Sequence, residues 1–122
     1  MNLFYNMLLV GLGGALGAIG RYFISLIPNR MEFPILTLIT NVLGAILIGF
    51  IVGYNKKNGT SDYAMLFWKT GVCGGFTTFS TFSLEASTLI DKELYLQAAI
   101  YVILSLVLCF IGIYIGQKLA NI

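Results

Sequence analysis

Gly71-Val-Cys-Gly-Gly-Phe-Thr-Thr-Phe-Ser-Thr-Phe-Ser83 lies inside a hydrophobic segment and decides how the whole chain is read. A helix that only anchored a protein in lipid would be built from Leu, Ile, Val and Ala. Here glycines, hydroxyls and phenylalanines are crowded into one stretch. Adjacent glycines weaken a helix. Backbone at membrane depth leaves the helix only where protein or a polar cavity satisfies its N–H and C=O groups. Interrupted membrane helices are a recurring way to bind an ion or substrate, so residues 74 to 82 are read as the functional centre.

Working outward, the 122-residue chain is 58% hydrophobic and 10% charged, with a mean hydropathy of +0.90. Soluble domains carry about 25% charged residues, so the expectation is an all-α integral membrane protein. A hydrocarbon core of about 30 Å takes roughly 20 helical residues to cross. Leu3–Ile27, Ile35–Tyr54, Ala64–Ile90 and Leu94–Gly116 are each long enough. They make one four-helix transmembrane domain over residues 1–122, with the third helix broken near 74–78. The connections Pro28–Pro34, Asn55–Asp62 and Asp91–Glu93 are short and polar, which places the function within the membrane. The first span lacks a basic start and is glycine-rich, so it is expected to be retained rather than removed as a signal peptide.

Enzyme chemistry has few candidate residues, and the chain is read as a non-enzyme. There is no histidine, and Cys73 and Cys109 both fall inside spans, where a thiol serves as a small apolar group. No Cys/His or carboxylate cluster has transition-metal spacing. With the N-terminus inside, Lys56, Lys57 and Lys118 lie on the cytoplasmic side and Arg30 and Lys92 opposite. That bias is weak by the positive-inside rule. Such a chain can insert both ways and pair with an inverted copy of itself, and weak orientation without functional meaning stays equally open.

In the first span Gly13 and Gly17 form a GxxxG pair, and Gly14 with Ala18 repeats the spacing, which lets helix backbones approach closely. Arg21 continues that face. It is either an arginine snorkelling to headgroups or a fixed charge drawing anions into a vestibule. The second span sets Thr37, Asn41, Ala45, Gly49 and Gly53 at steps of four on one face. A carboxamide in hydrocarbon needs partners, so Asn41 is an interhelical hydrogen bond or a pore-lining donor.

After the break, Phe79 and Phe82 share a helical face, with Glu85 three residues further and Ser80, Thr81 and Ser83 beside them. Ring edges carry partial positive charge and can solvate a small anion. Packing rings and hydroxyls bonded to i−4 carbonyls are the alternative. Glu85 is a pore-mouth carboxylate or a snorkelling or paired charge. In the fourth span Gln97, Tyr101, Ser105 and Cys109 repeat at steps of four, and Gly112 with Gly116 makes another GxxxG pair. Tyr101 and Ser105 either extend a polar track or bond between helices.

The chain resembles the small dual-topology fluoride channels, the Fluc or CrcB-like family, over essentially its whole length. The likeness rests on Gly-Gly-Ala-Leu-Gly-Ala-Ile-Gly-Arg-Tyr in the first span and Thr-Leu-Ile-Thr-Asn-Val-Leu-Gly in the second. Above all it rests on Gly-Gly-Phe-Thr-Thr-Phe-Ser-Thr-Phe in the third. The resemblance implies an antiparallel homodimer in the plasma membrane, with two pores that let fluoride leave the cell passively and so limit its toxicity. It implies that the backbone carbonyls of Gly74 and Thr77 hold a central, non-transported Na⁺. Phe79 and Phe82 would line the pores, Asn41 would donate to the anion, and Ser80, Thr81, Tyr101 and Ser105 would belong to a polar track. Arg21 matches the family's arginine in the first span. Some members occur as paired, complementary chains of fixed orientation. The rival is a small proton-coupled multidrug exporter, which needs a carboxylate deep in the membrane. Spans one, two and four have none in their interiors, and Glu85 lies toward the end of the third.

Overall fold

In hydrocarbon a backbone group must find its partner inside its own segment, which turns long apolar runs into helices. The computed structural model describes residues 2–122, and among them it shows helices and turns but no strand. Helix α1 spans Leu3–Ser25, its start capped by the Asn2 side chain, which accepts from the Phe4 and Tyr5 amides. It ends before Pro28, which disfavours helical backbone in the residue ahead of it. Helix α2 spans Ile35–Asn58 and runs about a turn past the expected boundary at Tyr54. Lys56 and Lys57 occupy its last turn, where cations suit the helix dipole, and Gly59 ends it at φ 75.

The expected third span is divided. Helix α3 covers residues 62–76, with α-helical ends Asp62–Met65 and Gly74–Phe76 and a π-wound middle, Leu66–Cys73. Two extended residues follow, Thr77 (φ −87°, ψ 154°) and Thr78 (φ −148°, ψ 119°). Helix α4 then spans Phe79–Asp91. The interruption is therefore narrower than residues 74–78, because Gly74 keeps helical backbone (φ −63°, ψ −36°). At Gly75, close packing offsets the weak helix propensity of glycine. A Cβ on Gly75 would run into the Gly14 carbonyl, so that glycine is there for close approach. Glu93, in the left-handed region at φ 60, turns the chain into α5, Tyr95–Ala120.

Helices α1, α2 and α5 are each long and apolar enough to cross a membrane. They pack in two pairs, α1 on α3 and α2 on α5. Gly13 meets Phe67 and Gly71, and Gly17 meets Val72 and Phe76. Gly49 meets Ile113, and Gly53 meets Gln117 and Ala120. Residue numbers rise together across each interface, so each pair runs parallel. The GxxxG faces of α1 and α5 are thus helix contacts, with Gly112 against Ala45 and Gly116 against the Ile46 carbonyl and the Phe50 amide.

A compact cluster of Leu38, Phe82, Ala86, Leu89, Ala98 and Tyr101 fills the space where α2, α4 and α5 meet. Tyr101 is fully buried there, its ring edge-on to Phe33 at 5.5 Å and 5.1 Å from Phe82. The two parallel C-termini gather Lys56, Lys57 and Lys118 at one end, where Lys57 Nζ donates to the Asn121 carbonyl at 3.3 Å. At the other end Lys92 pairs with Glu32 at 2.9 Å across an exposed surface.

Gly116→Leu is expected to force α2 and α5 apart, costing more than about 3 kcal/mol by overpacking. A lower melting temperature or loss of the monodisperse peak in detergent would report it. Gly11→Ala, whose Cβ meets nothing within 4 Å, should shift stability by no more than about 1 kcal/mol.

Candidate functional site

Every hydrogen bond that the helix loses at Thr77 and Thr78 has to be accounted for. The Thr78 N–H donates to Asn41 Oδ1 at 2.9 Å, and Asn41 Nδ2 donates to the Thr78 carbonyl at 3.1 Å. One carboxamide from α2 thus substitutes for a partner on each side of a single extended residue, much as a neighbouring strand would. Thr78 Oγ1 accepts the Thr81 N–H at 3.1 Å and caps α4. The Thr77 N–H and Oγ1–H both donate to the Cys73 carbonyl, at 3.0 and 2.8 Å. From α1, Arg21 Nε donates to the Gly75 carbonyl at 3.2 Å.

With the Gly75 carbonyl taken by Arg21, three carbonyls at the break, those of Gly74, Phe76 and Thr77, are left without helical donors among the described residues. The Gly74 oxygen would take the Thr78 N–H, and the Thr77 oxygen the Thr81 N–H. Both donors are engaged elsewhere. Gly74 and Thr77 are the two carbonyls that the resemblance singles out for a cation.

The break opens onto a cleft of about 420 Å³ between α2, α3, α4 and α5. Asn41, Thr78, Phe79 and Phe82 line its break side, and Ser105 and Cys109 line it from α5. Gly74, Thr77, Cys73 and Lys69 contribute the α3 wall. On the far side of Thr78 lies a small cavity of about 80 Å³, bounded by Arg21, Ser25, Leu36, Thr37, Thr40 and Thr81. Thr78 borders both spaces.

The residues marked in the sequence are therefore distributed rather than gathered at one point. Asn41, Phe79, Phe82 and Ser105 share the large cleft, while Arg21 and Thr81 share the small cavity. Ser80 is exposed and borders neither. Tyr101 stands behind Phe82 in the core. Phe79 and Phe82 have ring centroids 5.6 Å apart, yet Phe79 is 76% exposed and Phe82 only 9%. The side-chain oxygens of Tyr101 and Ser105 are buried without a hydrogen-bond partner among the described residues. Unpaired polar atoms in a buried setting are costly enough to call for an explanation.

Of the two readings left open for Asn41, the interhelical bond is present, and one of its two Nδ2 protons remains free. Arg21 is turned inward onto the break rather than out to headgroups. Glu85 accepts a hydrogen bond from the neutral Thr37 Oγ1 at 2.6 Å and makes no ion pair among the described residues. That bond was not anticipated, although Thr37 lies on the Asn41 face and Glu85 on the Phe82 face. Thr40 and Ser25 had no signal beyond their hydroxyls. Ser83 follows the alternative reading and donates back to the Phe79 carbonyl at 2.9 Å.

Parallel helix pairs bound by small residues, with a broken helix clamped between them, define a small multi-pass helical membrane protein. The sequence carries this further. Residues 8–117 match the family model described as CrcB-like protein, Camphor Resistance (CrcB). A protein of Rhodopseudomonas palustris (strain BisB5) is 44% identical over 116 residues, covering 92% of this chain and 94% of that protein. A Ruminiclostridium cellulolyticum protein is 41% identical over 126 residues, covering 95% and 92%. A Methanococcus maripaludis protein is 41% identical over 113 residues, covering 92% and 93%. Each bears the name fluoride-specific ion channel FluC. The chain belongs to the CrcB-like protein family.

Asn41→Ala removes both bonds to Thr78 and leaves two backbone groups unsatisfied. The expected cost is about 2–5 kcal/mol, read as a lower melting temperature in detergent. Thr88→Ala, which removes only an exposed hydroxyl bonded to the Leu84 carbonyl, should leave the melting temperature within error of wild type.

Proposed function

We propose that this chain conducts fluoride passively across the plasma membrane, and that it does so as an antiparallel pair of identical subunits. The observation that carries the proposal is the helix break at Thr77–Thr78, held by Asn41 and facing a cleft lined by Phe79, Phe82 and Ser105. The name shared by the relatives supports fluoride as the ion. The role is permeation down a gradient, and it lowers the fluoride burden of the cytoplasm.

Fluoride is small and strongly hydrated, so a pore must replace its water with well-placed donors and still let it leave. The free Nδ2 proton of Asn41, the unpartnered hydroxyls of Tyr101 and Ser105, and the ring edges of Phe79 and Phe82 offer positive partial charge. Thr81 and Arg21 border the small cavity, which would serve as the vestibule, and the exposed Ser80 would join the polar track only against the second subunit. The exposure of Phe79 on one subunit suits a ring that completes its pore against a second copy.

The donor set at the break fits a structural Na⁺. Gly74 and Thr77 present carbonyl oxygens without helical donors, and hard oxygens suit a hard cation. Two from each subunit, related by a two-fold axis, would make a symmetric four-oxygen site. Bound there, the ion would supply positive charge near the midplane.

Liposomes containing the purified protein should release fluoride rapidly and retain chloride, as followed by ion-selective electrodes. Phe79→Ala should drop fluoride release to the level of empty vesicles while keeping the elution volume of wild type, since the ring is exposed on the single chain. Equal release of both anions, or wild-type release by Phe79→Ala, would overturn the assignment.

A further inference from the structure

The Gly17 face of α1 is pressed against the end of α3 so closely that a Cβ there would overlap the Val72 carbonyl and crowd the Phe76 amide. One helical step further, the same face presents Arg21. Its Nε–H reaches the Gly75 carbonyl at 3.2 Å. In an unbroken helix that carbonyl would accept from the Phe79 N–H. Phe79 instead begins α4, beyond the two extended threonines. We infer that Arg21 is a positioning residue for the break: its Nε–H stands in for the helical donor that the Gly75 carbonyl has lost, and so fixes the path of residues 74–78. The glycine stripe of α1 serves to bring that donor into place. A guanidinium near the C-terminal end of α3 also faces the negative end of its dipole.

This role goes beyond a vestibule charge and rests on the channel reading only for its flux arm. If Arg21 acted as a charge drawing anions in, its effect would fall on the fluoride concentration at half-maximal flux. A positioning role falls on the geometry of the break, and so on maximal flux and local order. Side-chain length separates the two. The amide nitrogen of Gln lies as many bonds from Cα as Nε of Arg, so Arg21→Gln keeps the donor and loses the charge. Lys carries a methylene at that place and its ammonium one atom further, so Arg21→Lys keeps the charge and loses the donor. Arg21→Met loses both.

Amide hydrogen exchange across residues 74–82 of the intact protein in detergent reads the break without reference to transport. Lys and Met variants should exchange about tenfold faster than wild type, and the Gln variant within about threefold, given what a charge-assisted bond contributes. Fluoride efflux should follow the same order, with maximal flux lost in the Lys and Met variants and half-saturating fluoride unchanged. Failure of the Lys and Met variants to assemble, where Gln assembles, supports the same role. Wild-type behaviour of Arg21→Lys, loss of assembly or order in Arg21→Gln, or a change confined to half-saturating fluoride would overturn it. Absence of efflux from wild type would refute the channel reading while leaving the exchange result to stand on its own.

Discussion

Hydrocarbon offers no hydrogen bonds, so a helix that opens within it must be closed again by protein. The pair of bonds between the Asn41 carboxamide and the Thr78 backbone does this, and the rest of the structure is arranged around it. It requires α2 to lie against the break with Asn41 at the right height. It lets Thr78 turn its hydroxyl to cap α4. By taking the Thr78 N–H, it leaves the Gly74 carbonyl without a helical partner. One asparagine therefore stabilises the interruption and determines which oxygens are available beside it.

Holding α2 at that height is the work of small residues. Between helices in lipid there is no hydrophobic driving force comparable to that in water, and association depends on close packing. Ala45, Gly49 and Gly53 of α2 meet Gly112, Ile113, Gln117 and Ala120 of α5. Gly13, Gly14 and Gly17 of α1 meet Phe67, Gly71, Gly75 and Phe76 of α3. Glycine within a helix costs up to about 1 kcal/mol relative to alanine, and that loss is offset because larger residues would hold the backbones apart. Both parallel pairs then converge on Thr78, which borders the large cleft on one side and the small cavity on the other.

Much of this was legible in the sequence because the signals were periodic. Apolar runs of span length, glycines at steps of four and the placement of Asn41 on a small-residue face all depend on helical geometry. The location of the break was less legible. Gly74-Gly75 has the weaker propensity, yet both glycines stay helical, Gly75 packed against Gly14, and the extended residues are the threonines. The unequal exposure of Phe79 and Phe82 could not be read from their spacing, since three residues along a helix give a common face but not a common neighbour. Nor could the Thr37–Glu85 bond, which joins residues far apart in the chain. The π-wound stretch Leu66–Cys73 left no trace in composition.

That stretch has a consequence for how the chain tolerates change. A π-turn accommodates more residues than an α-turn over a similar path, so the faces that Gly71 and Gly75 present to α1 depend on how many residues precede them within α3. Each α-helical residue advances the winding by about 100°. Loss of a single residue from Leu66–Cys73 without a matching tightening from π to α winding would rotate everything beyond it. Gly75 would then leave Gly14, and the break would turn away from both Asn41 and Arg21. A point substitution on the outward side of α3 has no such reach. In this part of the molecule residue count matters more than residue type, and the neighbouring loop, Gly59–Ser61, is where a change in length would be absorbed.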